Sequence, residues 1–391
     1  HVDWCVALLE EAKPKLQSPE QVAWLDRLEL EHDNIRTAFD TCARGTGDEN
    51  KRALAGLRLA GAAKGFWQIR GYLSEGHEQT SRALETRQTL QLSITGDSHL
   101  PVKKAIAEAL RTSGGLAYTQ GNYSAARSFY EESLAIMREL NDRIGIGLLL
   151  GDLGSTATLQ GDLPRARLLL EDSLNIHREN GNRAQIAIAS GNLGNIAAMG
   201  GDYSVAQSLF EEALTIHREL GNLDTASNVL GNMGNAMQEQ GDYAAAQSLY
   251  EESLALARQV GNKLTMAFNL CSLGNIVAIQ GNYDAAHSYT VESLILFHEL
   301  SNKRGISYSL EGMSLIVKNT GTIRNAVILM AAAGALREIF GAPRTQQEQA
   351  DTDAMLTSMR SQLSDDEFAT TWAEGNTLSW EQAVEFALNQ G

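Results

Sequence analysis

The chain has 391 residues, 43% of them hydrophobic and 20% charged, an ordinary composition for a protein that buries a substantial core. Its formal net charge is −16, and an acidic surface repels phosphate backbones, so this segment is not expected to bind nucleic acid. No apolar run reaches the roughly 18 residues of a membrane-spanning helix, so no membrane contact is expected either.

The opening residues, His1-Val2-Asp3-Trp4, lack an initiator Met and do not read as a signal peptide. We therefore expect a segment of a longer protein. The three cysteines, Cys5, Cys42 and Cys271, are far apart and form no CxxC pair. Neither a disulfide framework nor a zinc site follows from them, and a reducing cytoplasm fits best.

Residues 1–100 read as helical hairpins ending in a linker. Glu20 to Ala43 reads as one helix, with Val22, Leu25, Leu28, Ile35 and Ala38 near one side. Lys51 to Ile69 and Tyr72 to Arg87 read as a hairpin, and Leu92 to Pro101 as the linker.

From residue 101 to 321 the chain repeats itself. Gly121, Gly161, Gly201, Gly241, Gly281 and Gly321 stand 40 apart without insertion. Gly114, Gly154, Gly194, Gly234 and Gly274 form a second column, which continues as Ser314. A third column is Ala126, Ala166, Ala206, Ala246, Ala286 and Ala326. A fourth reads Tyr123, Leu163, Tyr203, Tyr243, Tyr283, Ile323. Gly in the first column suits a left-handed helix end. The next residue, Asn122, Asp162, Asp202, Asp242 or Asn282, suits the N-cap of the following helix. Small Gly and Ala columns allow two antiparallel helices to approach closely. The second helix, for example Tyr203 to Leu220, is expected to bury Val205, Leu209, Ala213 and Ile216.

One unit, GNLGNIAAMGGDYSVAQSLFEEALTIHRELGN from Gly191 to Asn222, resembles a tetratricopeptide repeat in the longer form also seen in kinesin light chains. The Leu-Gly-Asn step, the Gly-Asp-Tyr turn and the Ala column carry the resemblance. It implies an all-α fold, a right-handed superhelical solenoid of stacked antiparallel hairpins. Five units match well and the sixth is degenerate at Ser314 and Ile323.

Residues 322–391 read as a helical cap of four helices, Thr322–Phe340, Thr345–Leu363, Asp365–Glu374 and Glu381–Asn389. Ser379 with Gln382 makes a capping box for the last. The segments WLDRLELEHDNIRTAFD (Trp24–Asp40), FWQIRGYLSEG (Phe66–Gly76), AAAGALREIFGAPRTQQEQ (Ala331–Gln349) and WEQAVEFAL (Trp380–Leu388) resemble the C-terminal helical region of bacterial STAND-type signal-transduction ATPases and transcription activators. That resemblance implies a regulatory arm following a nucleotide-binding switch module. It names no ligand.

No GxxxxGK[ST], HExxH, GxSxG or Cys/His metal spacing occurs, so no cofactor, metal or catalytic group is expected. His177 and His217 share a repeat column with Met137, Ala257 and Phe297, which marks a packing position. The pairs Glu131-Glu132, Glu211-Glu212 and Glu251-Glu252 read as a solvated face.

Asparagine is the constellation that stands out. Asn192 and Asn195, then Asn228, Asn232 and Asn235, then Asn275, lie on one stripe of successive first helices. Asp152 and Ser155 continue the stripe on one side, and Phe268 and Tyr308, with Ser272 and Ile279, on the other. By resemblance to tetratricopeptide arrays this stripe lines the concave groove. Asn is a mediocre helix former, so repeated mid-helix copies need a reason. The amides either grip an extended peptide or bond one another between units, and the sequence leaves both open. The expected function is a non-catalytic sensor or interaction domain of a multidomain bacterial regulator. It would bind a peptide or partner segment, including a switch module of its own polypeptide. A free-standing scaffold and a small-molecule effector sensor are the alternatives.

Overall fold

The computed structural model describes residues 1–46, 48–86, 99–340, 344 and 346–390. Among the described residues there are twenty helices and no strand. The first five are α1 (Val2–Lys15), α2 (Gln21–Leu30), α3 (His32–Arg44), α4 (Glu49–Arg70) and α5 (Leu73–Glu85). Six hairpins follow: α6 (His99–Thr119) with α7 (Tyr123–Glu139), α8 (Arg143–Leu159) with α9 (Leu163–Glu179), and α10 (Arg183–Met199) with α11 (Tyr203–Leu220). Then come α12 (Leu223–Glu239) with α13 (Tyr243–Val260), α14 (Lys263–Ile279) with α15 (Tyr283–Glu299), and α16 (Lys303–Thr320) with α17 (Ile323–Phe340). The chain ends in α18 (Gln346–Arg360), α19 (Asp365–Asn376) and α20 (Trp380–Leu388).

Two compact units share these elements. One holds His1–Val229 and Leu256–Asn262, the other Leu230–Ala255 and Lys263–Gly391. In each, consecutive helices pack as antiparallel hairpins, an all-α solenoid arrangement.

The repeat columns explain the hairpins atom by atom. A Cβ added at Gly114 would lie 2.5 Å from the Tyr130 ring, at Gly154 2.6 Å from Leu170, and at Gly194 2.8 Å from the Phe210 ring. In the second unit, one at Gly234 would lie 2.6 Å from the Tyr250 ring and one at Gly274 2.8 Å from Thr290 Oγ1. Where Ser314 replaces Gly, its hydroxyl donates to the Ala326 carbonyl at 2.6 Å. All six Ala-column residues, 126 through 326, are fully buried.

The turns match their residues. Gly121, Gly161, Gly201, Gly241 and Gly281 all have φ between 80° and 83°. Each is followed by a residue whose N–H reaches back five residues to close the helix end, as Asn122 does to the Ala117 carbonyl at 2.8 Å. Asn122, Asp162, Asp242 and Asn282 then cap the next helix with their side chains. Asp202 departs from the expectation, since it makes no cap bond and instead accepts from Ser204 Oγ at 3.3 Å.

Three sequence expectations change. The segment Glu20–Ala43 is not one helix but α2 and α3, broken at Glu31 (φ −95°, ψ 6°). At the break His32 turns inward, pairing with Glu75 Oε1 at 2.8 Å and packing on the Tyr72 ring at 4.1 Å. The buried face of α11 is Ala206, Phe210, Ala213, Leu214 and His217, and Val205 is exposed. The face is set by what meets the small residues of α10, which is Phe210 opposite Gly194. Residues 92–98 of the expected linker lie outside the described residues, and His99–Pro101 already belong to α6.

Three serines of one repeat column are buried. Ser133, Ser173 and Ser293 donate to the carbonyls of Ala107, Gly147 and Ala267, at 2.7, 2.7 and 2.8 Å. Each bond pins a second helix to its own first helix. At the C-terminal end, α17 is buried along Ala326–Ala333 by residues including Met359, Phe368, Val384 and Ala387 from α18, α19 and α20. Both α19 and α20 start with capping boxes, Ser364 with Glu367 and Ser379 with Gln382.

The histidine column is a packing column. His177 and His217 are almost wholly buried, and none of their four ring nitrogens has a hydrogen-bond partner. Burial lowers the pKa of both, that of His217 to about 4.

Two predictions follow from this packing. Gly194→Ala should overpack Phe210 and destabilise the protein by about 1–3 kcal/mol. Gly200→Ala, at the C-cap of the same helix and with no contact closer than 3.4 Å, should be neutral or stabilising. Thermal melts of the two variants check this, and equal effects would contradict the assigned packing. The buried histidine generates the second. His217 binds fewer protons folded than unfolded between its folded pKa of about 4 and the ordinary 6.5. Its contribution is therefore full above 6.5 and is lost as pH falls through that window, by about 1.4 kcal/mol per pH unit. Between pH 7 and 5 the wild type should lose about 2 kcal/mol more than His217→Met, read as diverging pH-dependent melts.

Candidate functional site

The stripe singled out in the sequence lies on the first helices of the hairpins. In the first unit, α8 contributes Asp152 and Ser155, and α10 contributes Asn192 and Asn195. Asn192 Nδ2 donates to Ser155 Oγ at 2.9 Å, and Ser155 Oγ donates to the Gly151 carbonyl at 3.0 Å. This is a bond from one hairpin to the next, so Asn192 has a scaffolding role. Asn195 is half-buried and its amide makes no hydrogen bond among the described residues. Asn228, on α12, is exposed, and its amide donates to the Asp224 carbonyl on its own helix at 3.1 Å.

Asp152 is the electrostatic centre of this half of the stripe. Arg111 Nε on α6 meets Asp152 Oδ2 at 2.5 Å, and Lys64 Nζ on α4 lies 3.8 Å from the same oxygen. Burial works to raise the Asp152 pKa, but the two cations outweigh it and hold the carboxyl below its usual range. Lys64 moves the other way. Its burial and the adjacent Arg111 charge lower its pKa to about 8.

The second unit carries Asn232, Asn235, Phe268, Asn275 and Tyr308. Tyr250, almost fully buried, donates its hydroxyl to Asn235 Oδ1 at 2.7 Å, so Asn235 ties α12 to α13. Asn232 is half-buried and its amide is unbonded among the described residues. Asn275 is half-buried and lies over Gly312, where an added Cβ would sit 2.9 Å from Asn275 Oδ1. Phe268 is half-buried and packs edge-on against the buried Phe297, with ring centroids 4.8 Å apart. Tyr308 lies between two guanidinium groups, Arg337 at 4.4 Å and Arg304 at 5.3 Å. Glu311 holds Arg337 by two bonds of 2.9 and 2.8 Å and accepts from Arg344 at 2.6 Å.

Lys64, Arg111 and the arginine group around Tyr308 were not singled out from the sequence. Arg111 was legible in part. Its repeat column continues as Gly151, Gly191, Gly231, Cys271 and Glu311, so the column carries a charge only at its two ends. Lys64 lies outside the repeat register, and no column exposes it. Two clefts in the first unit, one lined by residues including Leu153 and Arg165, the other by Phe39 and Arg82, hold about 20 Å³ each, room for about one water. Among the described residues, no group of three or more His, Cys, Asp or Glu side chains is placed to hold a metal. No helix there is long and apolar enough to cross a membrane.

Comparison with known proteins agrees with this architecture. Residues 105–179, 146–219 and 225–294 match the tetratricopeptide repeat family. No curated protein matches the sequence. Among solved structures, the chain is similar to a Rap protein complexed with competence and sporulation factor, at 14% identity and a TM-score of 0.59, covering 100% of both chains. It is similar to the Rap conjugation gene regulator of the plasmid pLS20 in complex with the Phr* peptide, at 13% identity and a TM-score of 0.60, covering 86% of this chain and 96% of that one. A third is aspartyl phosphate phosphatase F from Bacillus subtilis, at 12% identity and a TM-score of 0.52, covering 96% and 94%. At such identities the likeness is one of fold. The chain therefore carries tetratricopeptide repeats across the matched residues, in a helical solenoid of the kind found in Rap proteins.

Proposed function

We propose that this chain is a non-catalytic regulatory module that binds an extended peptide or partner segment along the polar stripe of its first helices. The observation that carries this reading is the division of labour within the stripe. Asn192 and Asn235 have partners in the scaffold, Ser155 and Tyr250. Asn195, Asn232 and Asn275 keep half-exposed amides with no bond among the described residues. A free amide offers both a donor and an acceptor, which suits a peptide main chain. Two of the structural neighbours are complexes with a peptide or a factor, which supports the same reading by analogy of fold.

The mechanism is a population shift. An occupant that touches several hairpins at once stabilises one arrangement of the array over others, and an attached module responds to that arrangement. The end segments around Trp24–Asp40 and Ala331–Gln349 support a place in a larger bacterial signalling or transcription regulator. A phosphate-binding GxxxxGK[ST] loop encoded upstream of His1 would bear that out, and its absence from the gene would favour a free-standing scaffold.

The binding reading is tested with a randomised hexapeptide mixture, selected on the wild type and on Asn195→Ala/Asn232→Ala. The double variant should melt no lower than the wild type, because Ala is the better helix former and no scaffold bond is lost. Its affinity for the selected peptides should fall roughly ten- to a hundredfold, for two lost hydrogen bonds. Asn235→Ala should instead lower the melt, by up to about 1 kcal/mol, since it removes the shorter of the two acceptors of the Tyr250 hydroxyl, Gln238 Oε1 at 3.1 Å being the other. Peptide retention unchanged in the double variant would sink the reading.

A further inference from the structure

We infer that the joint between α9 and α10 is the hinge of the first unit, and that an occupant of the stripe acts by holding this joint closed. The hinge rests on the packing of the joint itself. What closes it rests on the proposed peptide-binding reading.

Consecutive hairpins meet where the second helix of one lies against the first helix of the next, and three repeat columns mark each such joint. The first column reads Met137, His177, His217, Ala257, Phe297. The second reads Leu140, Asn180, Leu220, Val260, Leu300. The third reads Leu150, Ser190, Leu230, Leu270, Leu310. Of the joints these columns mark, the one between α9 and α10 has a polar residue in all three. Met137 and Leu150 share one apolar cluster, and Phe297 and Leu310 share another. The same register puts His177 and Ser190 in the place of such a pair.

Burial without partners makes this joint weak. His177 is 1% exposed and Ser190 0%. Neither ring nitrogen of His177 nor the Ser190 hydroxyl has a hydrogen-bond partner among the described residues. The Gly147 carbonyl, the acceptor that bears on His177, already accepts from Ser173 at 2.7 Å. A closed joint leaves these groups dry and unbonded, and an open one hydrates them. Opening therefore costs less here than at an apolar joint. The turn does little to hold it shut. Asn180 is exposed, its amide donating to the Ile176 carbonyl of its own helix at 2.7 Å, whereas Val260 and Leu300 of its column are buried. A Cβ added at the next residue, Gly181, would meet nothing within 4 Å.

The joint also has a pivot and a link to the stripe. Away from the turn, Ala166 and Leu170 of α9 share an apolar cluster with Leu193 and Ile196 of α10. That end stays packed while the turn end parts. On the stripe, Asn192 of α10 donates to Ser155 of α8 at 2.9 Å, a bond between the same two hairpins. Asn195 lies about one turn further along α10. A segment that bonds Asn195 and also touches α8 fixes the two first helices at one spacing. It thereby favours the closed joint over the open one.

Reactivity of the two buried histidines tests the hinge. The full chain is treated with diethyl pyrocarbonate near neutral pH, and carbethoxylation of each histidine is followed by mass spectrometry. Burial lowers the pKa of both rings, so both are neutral and differ only in access. All four ring nitrogens are buried, so either ring reacts only through opening. His177 should react roughly tenfold faster than His217, whose joint keeps Leu220 and Leu230. Ser190→Ala adds no bulk and removes the unbonded hydroxyl, so it should slow His177 severalfold and leave His217 unchanged. Equal, slow rates for the two histidines of the wild type would overturn the hinge, whatever the peptides do. An unchanged His177 rate in Ser190→Ala would overturn its assigned cause. The second arm adds the hexapeptides selected on the wild type, which should protect His177 roughly tenfold and His217 not at all. Peptides that are retained but leave His177 as reactive as before would refute the coupling to the stripe. If His177 is the faster and no peptide is retained, the hinge stands and the peptide-binding reading fails, with the coupling.

Discussion

The closeness of each hairpin is the constraint on which the rest of this structure depends. At Gly114, Gly154, Gly194 and Gly234 the first helix presents bare backbone to a bulky side chain of the second, Tyr130, Leu170, Phe210 or Tyr250. A single methyl group at these positions would fall well inside van der Waals contact. The fully buried Ala column performs the same service along the hairpin. With the helices this close, a serine hydroxyl on the second helix can reach a carbonyl of the first, as Ser173 does to Gly147. Close approach therefore recurs every 40 residues, the serine pin accompanies it at Ser133, Ser173 and Ser293, and neighbouring hairpins cover what each leaves exposed.

That device determines where chemistry can occur. Second helices spend their apolar faces on packing, while first helices keep a stripe free of it. On that stripe the scaffold claims some polar groups and leaves others. Asn192 and Asn235 resemble Asn195 and Asn232 in sequence, yet the first two are bonded into the frame and the last two are not. The electrostatics are equally local. A strongly acidic chain concentrates Lys64 and Arg111 around one carboxylate, because three helices converge there and Gly115 leaves room for the lysine stem.

Much of this was legible in the residues, and the reasons for the rest are physical. The hairpins and their turns follow from columns whose spacing is fixed by the repeat, and the capping box at Ser379 and Gln382 from its own local pattern. The break at Glu31 was not legible, because the apolar positions of Trp24–Ala38 remain helical in spacing on both sides of it. At the end of α2, His32 meets Glu75 and Tyr72, residues 43 and 40 positions away. The α11 face was misjudged at Val205, since periodicity alone does not tell which of two adjacent apolar stripes meets the small residues of the partner helix. The roles within the asparagine stripe could not be read from sequence either. They depend on whether Ser155 or Tyr250 comes within bonding distance.

Placement of the occupant tests the account most directly. A photo-crosslinking phenylalanine derivative can be introduced at Asn195 or Asn232 on the stripe, and at Glu211 or Glu251 on the exposed second helices, in the full-length protein within its native cells. Mass spectrometry of the adducts then reports what touches each position. The account predicts an extended segment joined at each stripe position, 195 in the first unit and 232 in the second, with the 211 and 251 positions silent. Adducts concentrated at 211 and 251, with the stripe unlabelled, would contradict it.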